Sequence, residues 1–185
     1  MKELSLNILD IAQNSVKAGA ANIGIELDET NDLLVFRIVD DGCGMTGEFL
    51  SKVFDPFTTT RKTRSVGLGL PFLKMAAEAT GGKLEIASKH ESEYPGEHGT
   101  TLCAEFHKDH IDCPPLGDIV STVVMLIQSA PFAPRYRFRH VKNGHEIELD
   151  TDELHEQLGP DIPLSEPEVL QFIRAYLEEG EESLS

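Results

Sequence analysis

The sequence predicts an α/β fold (α+β), a two-layer sandwich in which a mixed sheet carries helices on one face. Three observations predict it. The first 107 residues read in the order helix–strand–strand–helix–helix–strand–strand. Ala21–Leu27 alternates as a strand and turns into the apolar, β-branched run Leu33–Asp40, which suggests an antiparallel pair. Residues 3–18 carry Leu4, Ile8, Ile11, Ala12 and Val16 at helical spacing, an apolar stripe that must cover something.

The elements follow in order. Helix 3–18 ends at Gly19, a C-cap glycine. Asp28–Asp32 makes the turn between the first two strands. Thr46 is an N-cap for a short helix over 46–52 with Phe49 facing inward. A polar, basic loop, Phe54-Asp55-Pro56-Phe57-Thr58-Thr59-Thr60-Arg61-Lys62-Thr63-Arg64, then leads to Val66-Gly67-Leu68-Gly69-Leu70 and a helix over 68–80 with Pro71 in its first turn. Lys83–Ser88 and Thr100–His107 are strands joined by the polar loop His90–Gly99. Pro114-Pro115 marks a boundary, which divides the chain into 1–109 and an acidic extension, 110–185. The extension reads as helix–hairpin–helix. Leu116–Gln128 is a buried helix, and Asn143-Gly144 turns the hairpin of Tyr136–Val141 and Glu146–Leu149. Ser165-Glu166-Pro167-Glu168 is a capping box opening the helix Val169–Glu178, after which the chain should fray. The hairpin is expected at the sheet edge.

Composition narrows the function. Formal net charge is −16 over 185 residues, with −6 on residues 1–109 and −10 on 110–185. Such a surface argues against a nucleic-acid or anionic-membrane binder, which would show a basic face. Cys43, Cys103 and Cys113 have no paired framework and read as reduced cytosolic thiols, giving a cytoplasmic expectation. No apolar run is long enough to span a membrane, and none resembles a signal peptide. The extension's Leu116–Ile127 should pack on the preceding domain, with Glu146, Glu148 and Asp150 on an acidic face that steers a basic protein partner.

The chemistry centres on Val39-Asp40-Asp41-Gly42-Cys43-Gly44-Met45. A strand running into Asp-x-Gly-x-Gly delivers a carboxylate and then a backbone that can be approached closely. Asp40 either accepts from the amino group of a flat heterocycle such as adenine or belongs to a plain Asp-Gly turn. Asp10 and Asn14 share one helix face. The glycine-rich helix start at Gly67–Gly69 offers N–H groups to an anion. Arg61, Lys62 and Arg64 fit either a phosphate neighbour or a solvated loop.

Taken in order, these motifs resemble the GHKL ATPases, the group of DNA gyrase, a heat-shock chaperone, histidine kinases and mismatch-repair ATPases. Asp10-x-x-x-Asn14-Ser15-x-x-Ala18-Gly19-Ala20 is similar to their N box, and Asp40-Asp41-Gly42-Cys43-Gly44 to their G1 box. Phe54–Thr60 is similar to the F box of sensor histidine kinases, Gly67-Leu68-Gly69-Leu70 to the G2 box, and Gly99-Thr100-Thr101 to the last glycine motif. Glu3 and Asn7 repeat the acid–asparagine spacing, but the Ala-Gly-Ala after Asn14 ends the helix at the family's distance.

The resemblance covers residues 3–107. It implies the Bergerat-type ATP-binding fold with ATP and Mg²⁺ as cofactors. Asn14 would hold the Mg²⁺ and Asp40 the adenine amino group, with Gly44 giving close approach. Asp10 would be the catalytic carboxylate that activates water or a hydroxyl, standing where many members have Glu. Lys17, Gly42, Met45, Phe57, Thr60, Arg61, Lys62, Gly67, Leu68, Gly69, Leu70 and Thr101 would complete the nucleotide site. Because the N box begins near Met1, no phosphoacceptor helix pair is expected before it. The expected activity is therefore that of a stand-alone signalling kinase phosphorylating a protein in trans, with a homodimer left open. The alternative is a nucleotide-dependent protein-binding regulator, and a clamp of the gyrase or mismatch-repair kind is weakest. None of the seven histidines is expected to be catalytic.

Overall fold

The computed structural model describes residues 3–55 and 69–184. In chain order the elements are α1 (Leu4–Lys17), β1 (Asn22–Glu29), β2 (Leu33–Asp40), α2 (Gly47–Leu50), α3 (Gly69–Ala79), β3 (Lys83–Lys89) and β4 (Gly99–His107). There follow α4 (Ile119–Ser129), β5 (Arg135–Lys142), β6 (His145–Asp150), α5 (Thr151–Leu158) and α6 (Pro167–Ser183). One six-stranded sheet takes the order β3-β4-β2-β1-β5-β6. Every neighbouring pair is antiparallel except β1 and β5, which run parallel. The C-terminal hairpin thus joins the sheet beside β1 and forms its edge, as expected.

Strand alternation decides which side is covered. Ile23, Ile25 and Leu27 of β1 are buried, as are Leu34, Phe36 and Ile38 of β2, Leu102, Ala104 and Phe106 of β4, and Tyr136 and Phe138 of β5. Successive side chains point to opposite faces, so these residues line one face. They form a single buried cluster with Leu4, Ile8 and Ala12 of α1, Leu73 and Ala77 of α3, Val123 and Ile127 of α4, and Ile173 and Leu177 of α6. The helices therefore lie over one face, and strands from both parts of the chain share the core. Burial of each large α4 side chain is worth about 1.5–3 kcal/mol.

Segment 114–117 also ties α1 to the later chain. Helix α1 has no side-chain cap at Glu3. Instead Leu4 and Ser5 donate their N–H groups to the carbonyls of Pro115 and Leu116, at 3.0 and 2.8 Å. Two of the donors that every helix start leaves open are thereby satisfied by backbone.

The other sheet face carries charge in rows. Glu148, Arg139, Glu26 and Arg37 stand in register across β6, β5, β1 and β2. Arg139 pairs with Glu146 at 2.6 Å, Arg135 with Asp150 at 2.7 Å, and Arg137 with Asp150 at 3.1 Å and Glu148 at 3.8 Å. This corrects the acidic-face expectation for Glu146, Glu148 and Asp150. Their charge is met by arginines on the adjacent strand, a pairing that antiparallel register brings about and net charge conceals.

Three further expectations are corrected. Ser165 does not cap α6: the N-cap is Glu166, no side chain caps the helix, and Leu170 N–H bonds the Glu166 carbonyl at 2.9 Å. Instead of fraying after Glu178, α6 runs to Ser183, because Leu177 and Leu184 are buried and hold its end. The extension also contains α5, opened by Asp150, whose carboxylate accepts from Asp152 N–H at 2.9 Å. By contrast, Thr46 caps α2 as read, accepting from Phe49 N–H at 3.3 Å. Asn143 and Gly144 both take positive φ, 50° and 87°, as the two-residue hairpin turn requires.

Candidate functional site

The site grows from the end of β2. Alternation puts Asp40 on the same face as Ile38 and Phe36, toward the helices. Its carboxylate is held twice: Ser15 Oγ donates to Oδ2 at 2.6 Å, and Gly42 N–H donates to Oδ1 at 2.9 Å. Ser15 reaches it because it continues the buried stripe of α1 through Ile8 and Ala12. A carboxylate has about four acceptor positions, so two donors leave room for a third from a ligand.

Asp41 does a different job. It accepts Ala21 and Asn22 N–H at 2.7 and 2.8 Å and the Asn22 amide at 2.7 Å, fixing the turn against the start of β1. Burial raises its pKa, but the Asn22 side chain and the Asn22 and Ala21 amides outweigh this and hold it below the ordinary value.

Residues 41–45 form a turn gripped from two sides. Cys43 N–H bonds the Ala18 carbonyl at 2.9 Å, beyond the end of α1. Met45 N–H bonds Ser88 Oγ at 2.8 Å, on β3. Gly44 has φ +69°, and a Cβ there would collide with the Lys89 carbonyl oxygen. Glycine is therefore demanded at that position by the protein's own backbone.

Ser88, Thr100 and Asp40 make one row across β3, β4 and β2. Thr100 stands opposite both Asp40 and Ser88, and its hydroxyl lies 2.8 Å from Ser88 Oγ. Thr101, the residue singled out from the sequence, pairs with Val39 and belongs to the opposite face, away from Asp40. Counting back by twos from buried Leu102 reaches Thr100, a signal the glycine motif alone does not carry. Ser15 was likewise legible as the next member of the α1 stripe. Ser88 follows by the same count from buried Leu84, whereas His98, whose Nδ1 lies 2.6 Å from the Gly42 carbonyl, had no such signal.

Asp10, Asn14 and Lys17 are exposed on the outer face of α1. Asp10 Oδ2 lies 3.1 Å from where a Cβ on Gly69 would stand, so the start of α3 abuts the acid. Leu70 packs against the core. Phe57, Thr60, Arg61, Lys62, Gly67 and Leu68, with Arg64, lie outside the described residues. Among the described residues no group of acids, histidines and cysteines is arranged to hold a metal by itself. A concavity of roughly 180 Å³ lined by Glu29, Leu34, Lys108 and Cys113 is at the other end of β1 and β2 and takes no part here. No described helix is long and apolar enough to cross a membrane.

Residues 2–110 match the family described as "Histidine kinase-, DNA gyrase B-, and HSP90-like ATPase". The sensor protein KdpD of Clostridium acetobutylicum is 35% identical over 94 residues, 48% of this chain and 10% of that protein. The sensor protein SrrB of Staphylococcus aureus is 34% identical over 94 residues, 48% of this chain and 16% of that protein. The chain thus spans a small part of the length of these relatives. Among solved structures, the Aquifex aeolicus MutL ATPase domain complexed with ADP superimposes with a TM-score of 0.51 at 17% identity, covering 86% of this chain and 68% of that one. The N-terminal domain of a DNA repair protein does so with a TM-score of 0.55 at 12% identity, covering 80% and 52%. These two likenesses show the fold. With the family match running from the start of α1 past the end of β4, over more than half of the sequence, the chain belongs to the histidine kinase-, DNA gyrase B- and HSP90-like ATPases.

Proposed function

We propose that this protein binds Mg-ATP and acts as a histidine kinase-like signalling module that phosphorylates a separate protein. The observation that carries the reading is the setting of Asp40 at the end of β2. A carboxylate held by Ser15 and Gly42 stands on the helix-facing side of the sheet, and Asp10 on α1 abuts Gly69 at the start of α3. The donor set fits the ligand. Asp40 retains acceptor capacity for an adenine amino group, and the Asn14 amide oxygen suits a hard cation such as Mg²⁺. Bound Mg-ATP supplies a transferable phosphoryl group. In this reading Lys17, Gly42, Gly44, Met45, Gly69 and Leu70 line the nucleotide, and Asp10 takes a proton from the attacking group. Phe57, Thr60, Arg61, Lys62, Gly67 and Leu68 would contribute from the connecting segment. Residues 1–109 serve as the ATP-binding domain and 110–185 as an extension packed on it. Three free cysteines agree with a cytoplasmic setting.

Two measurements test the proposal. Calorimetry with Mg²⁺ should show ATP or ADP binding at millimolar concentration or below, and no heat at that level overturns the reading. Incubation with γ-labelled ATP and cell lysate should then label a protein captured with this one. A captured partner that depends on nucleotide but takes no label would instead identify a nucleotide-dependent regulator.

A further inference from the structure

We propose that His98 is a positioning residue for the nucleotide site, holding the Asp40–Met45 turn in its binding geometry; this rests on the Mg-ATP reading above. The argument begins with which atoms can donate. His98 Nδ1 lies 2.6 Å from the carbonyl oxygen of Gly42. A carbonyl only accepts, so Nδ1 carries the hydrogen, and the ring is either the Nδ1–H tautomer or the imidazolium. Both forms donate. The bond links positions 56 residues apart, so it is a tertiary contact and not a feature of a local turn.

The loop that delivers His98 is itself well organised. Tyr94 N–H bonds the His90 carbonyl at 2.9 Å, and Glu97 N–H bonds the Tyr94 carbonyl at 3.1 Å. Lys89 Nζ pairs with Glu97 at 3.2 Å and lies over the Tyr94 ring at 5.3 Å. The two ends of this loop close on the Asp40–Met45 turn together. At one end Glu91 N–H bonds the Cys43 carbonyl at 2.9 Å, and the Lys89 carbonyl lies against Gly44. At the other, Gly99 packs its α-carbon on the Asp40 carbonyl while the His98 ring takes the Gly42 carbonyl.

Gly42 is also the residue whose N–H holds Asp40 Oδ1. The Gly42 carbonyl lies in one planar peptide unit with Cys43 N–H, so His98 and the Ala18 carbonyl grip the same plane, and only the Gly42 φ and ψ bonds separate it from Gly42 N–H. Glycine resists rotation about these bonds less than any other residue. Anchoring that plane from both sides narrows the rotation left to the Gly42 N–H, and so steadies the Asp40 carboxylate that this N–H holds. His98 acts on the ligand through this backbone and need not touch it.

The test compares His98→Ala, His98→Asn and wild type by Mg-ATP calorimetry, thermal melting and amide hydrogen exchange at residues 42–45. An Asn amide nitrogen can stand near the Nδ1 position and donate to the same carbonyl. We expect His98→Ala to weaken Mg-ATP binding about 5- to 30-fold and to speed exchange at 42–45, with His98→Asn recovering most of both. Equal affinity in all three proteins, with only the melting temperature lowered in His98→Ala, would reduce His98 to a structural residue and overturn the proposal. Weak binding in both variants would also overturn it, since the donor would not be what matters. Should wild type bind no nucleotide, the Mg-ATP reading fails, while the exchange rates still report whether His98 holds the turn.

Discussion

At the scale of single residues the fold and the site meet in carboxylates that are given several donors each. Asp40 is the one with capacity to spare, so Asp40→Asn should lower nucleotide affinity by about 1–3 kcal/mol, measurable by calorimetry, while leaving the melting temperature close to wild type. Asp150 is the structural counterpart. Burial raises its pKa, but the Arg135 side chain, the Asp152 amide and the Arg137 side chain outweigh burial and hold it below the ordinary carboxylate value. A carboxyl whose folded pKa is depressed contributes stability that is complete above the unfolded value. That stability is lost as pH falls through the lowered folded value. Asp150→Asn should therefore cost about 1–3 kcal/mol at neutral pH, the arginines being partly solvated, and the difference from wild type should shrink in melts run progressively below pH 4.

At the scale of elements the decisive contacts are close approaches. Helix α6 lies so near β6 that a Cβ on Gly180 would stand 2.6 Å from Ile147 Cγ2. Alanine there would improve helix propensity by about 1 kcal/mol, yet overpacking costs typically 1–3 kcal/mol. Gly180→Ala should thus lower the melting temperature, and Ile147→Ala, which removes Cγ2, should cost less in the Gly180→Ala background than in wild type. Elements with strong local signals were legible in the sequence, among them α1 with its apolar stripe, the Thr46 cap and the Asn143-Gly144 hairpin. Helix α5 was not. It buries only Thr151 and Leu154, and its cap, Asp150, stands in the sequence only as one charge of the expected acidic face, just past the strand Glu146–Leu149. Thr100 escaped notice for a related reason: a glycine motif marks where a strand starts, whereas the face of each side chain is set by pairing register.

At the scale of the whole molecule, residues 114–184 are part of the architecture that holds the candidate site. Truncation after Lys108 would remove two of six strands, the partners of the first α1 amides and all of α4. The shortened protein should aggregate or melt well below the full chain, as read by light scattering and calorimetry; a monodisperse fragment melting at the full-length temperature would contradict this. The charge excess of the extension was legible in composition, but its destination was not. Arginines on β5 meet part of it across the sheet, which only the strand order reveals.

The parallel pairing of β1 with β5 has a consequence in time. Ile23 meets Tyr136 across more than a hundred residues of intervening chain. At synthesis rates of about 5–20 residues per second, β1 is made roughly 6–20 seconds before its second neighbour exists. For that interval the nascent chain presents an open strand edge of the kind that invites pairing with other chains. Contacts this distant in sequence also carry a large loop-closure entropy, so assembly of the sheet should be slow for a protein of this size. The newly made chain passes through a period of exposure before its sheet is complete.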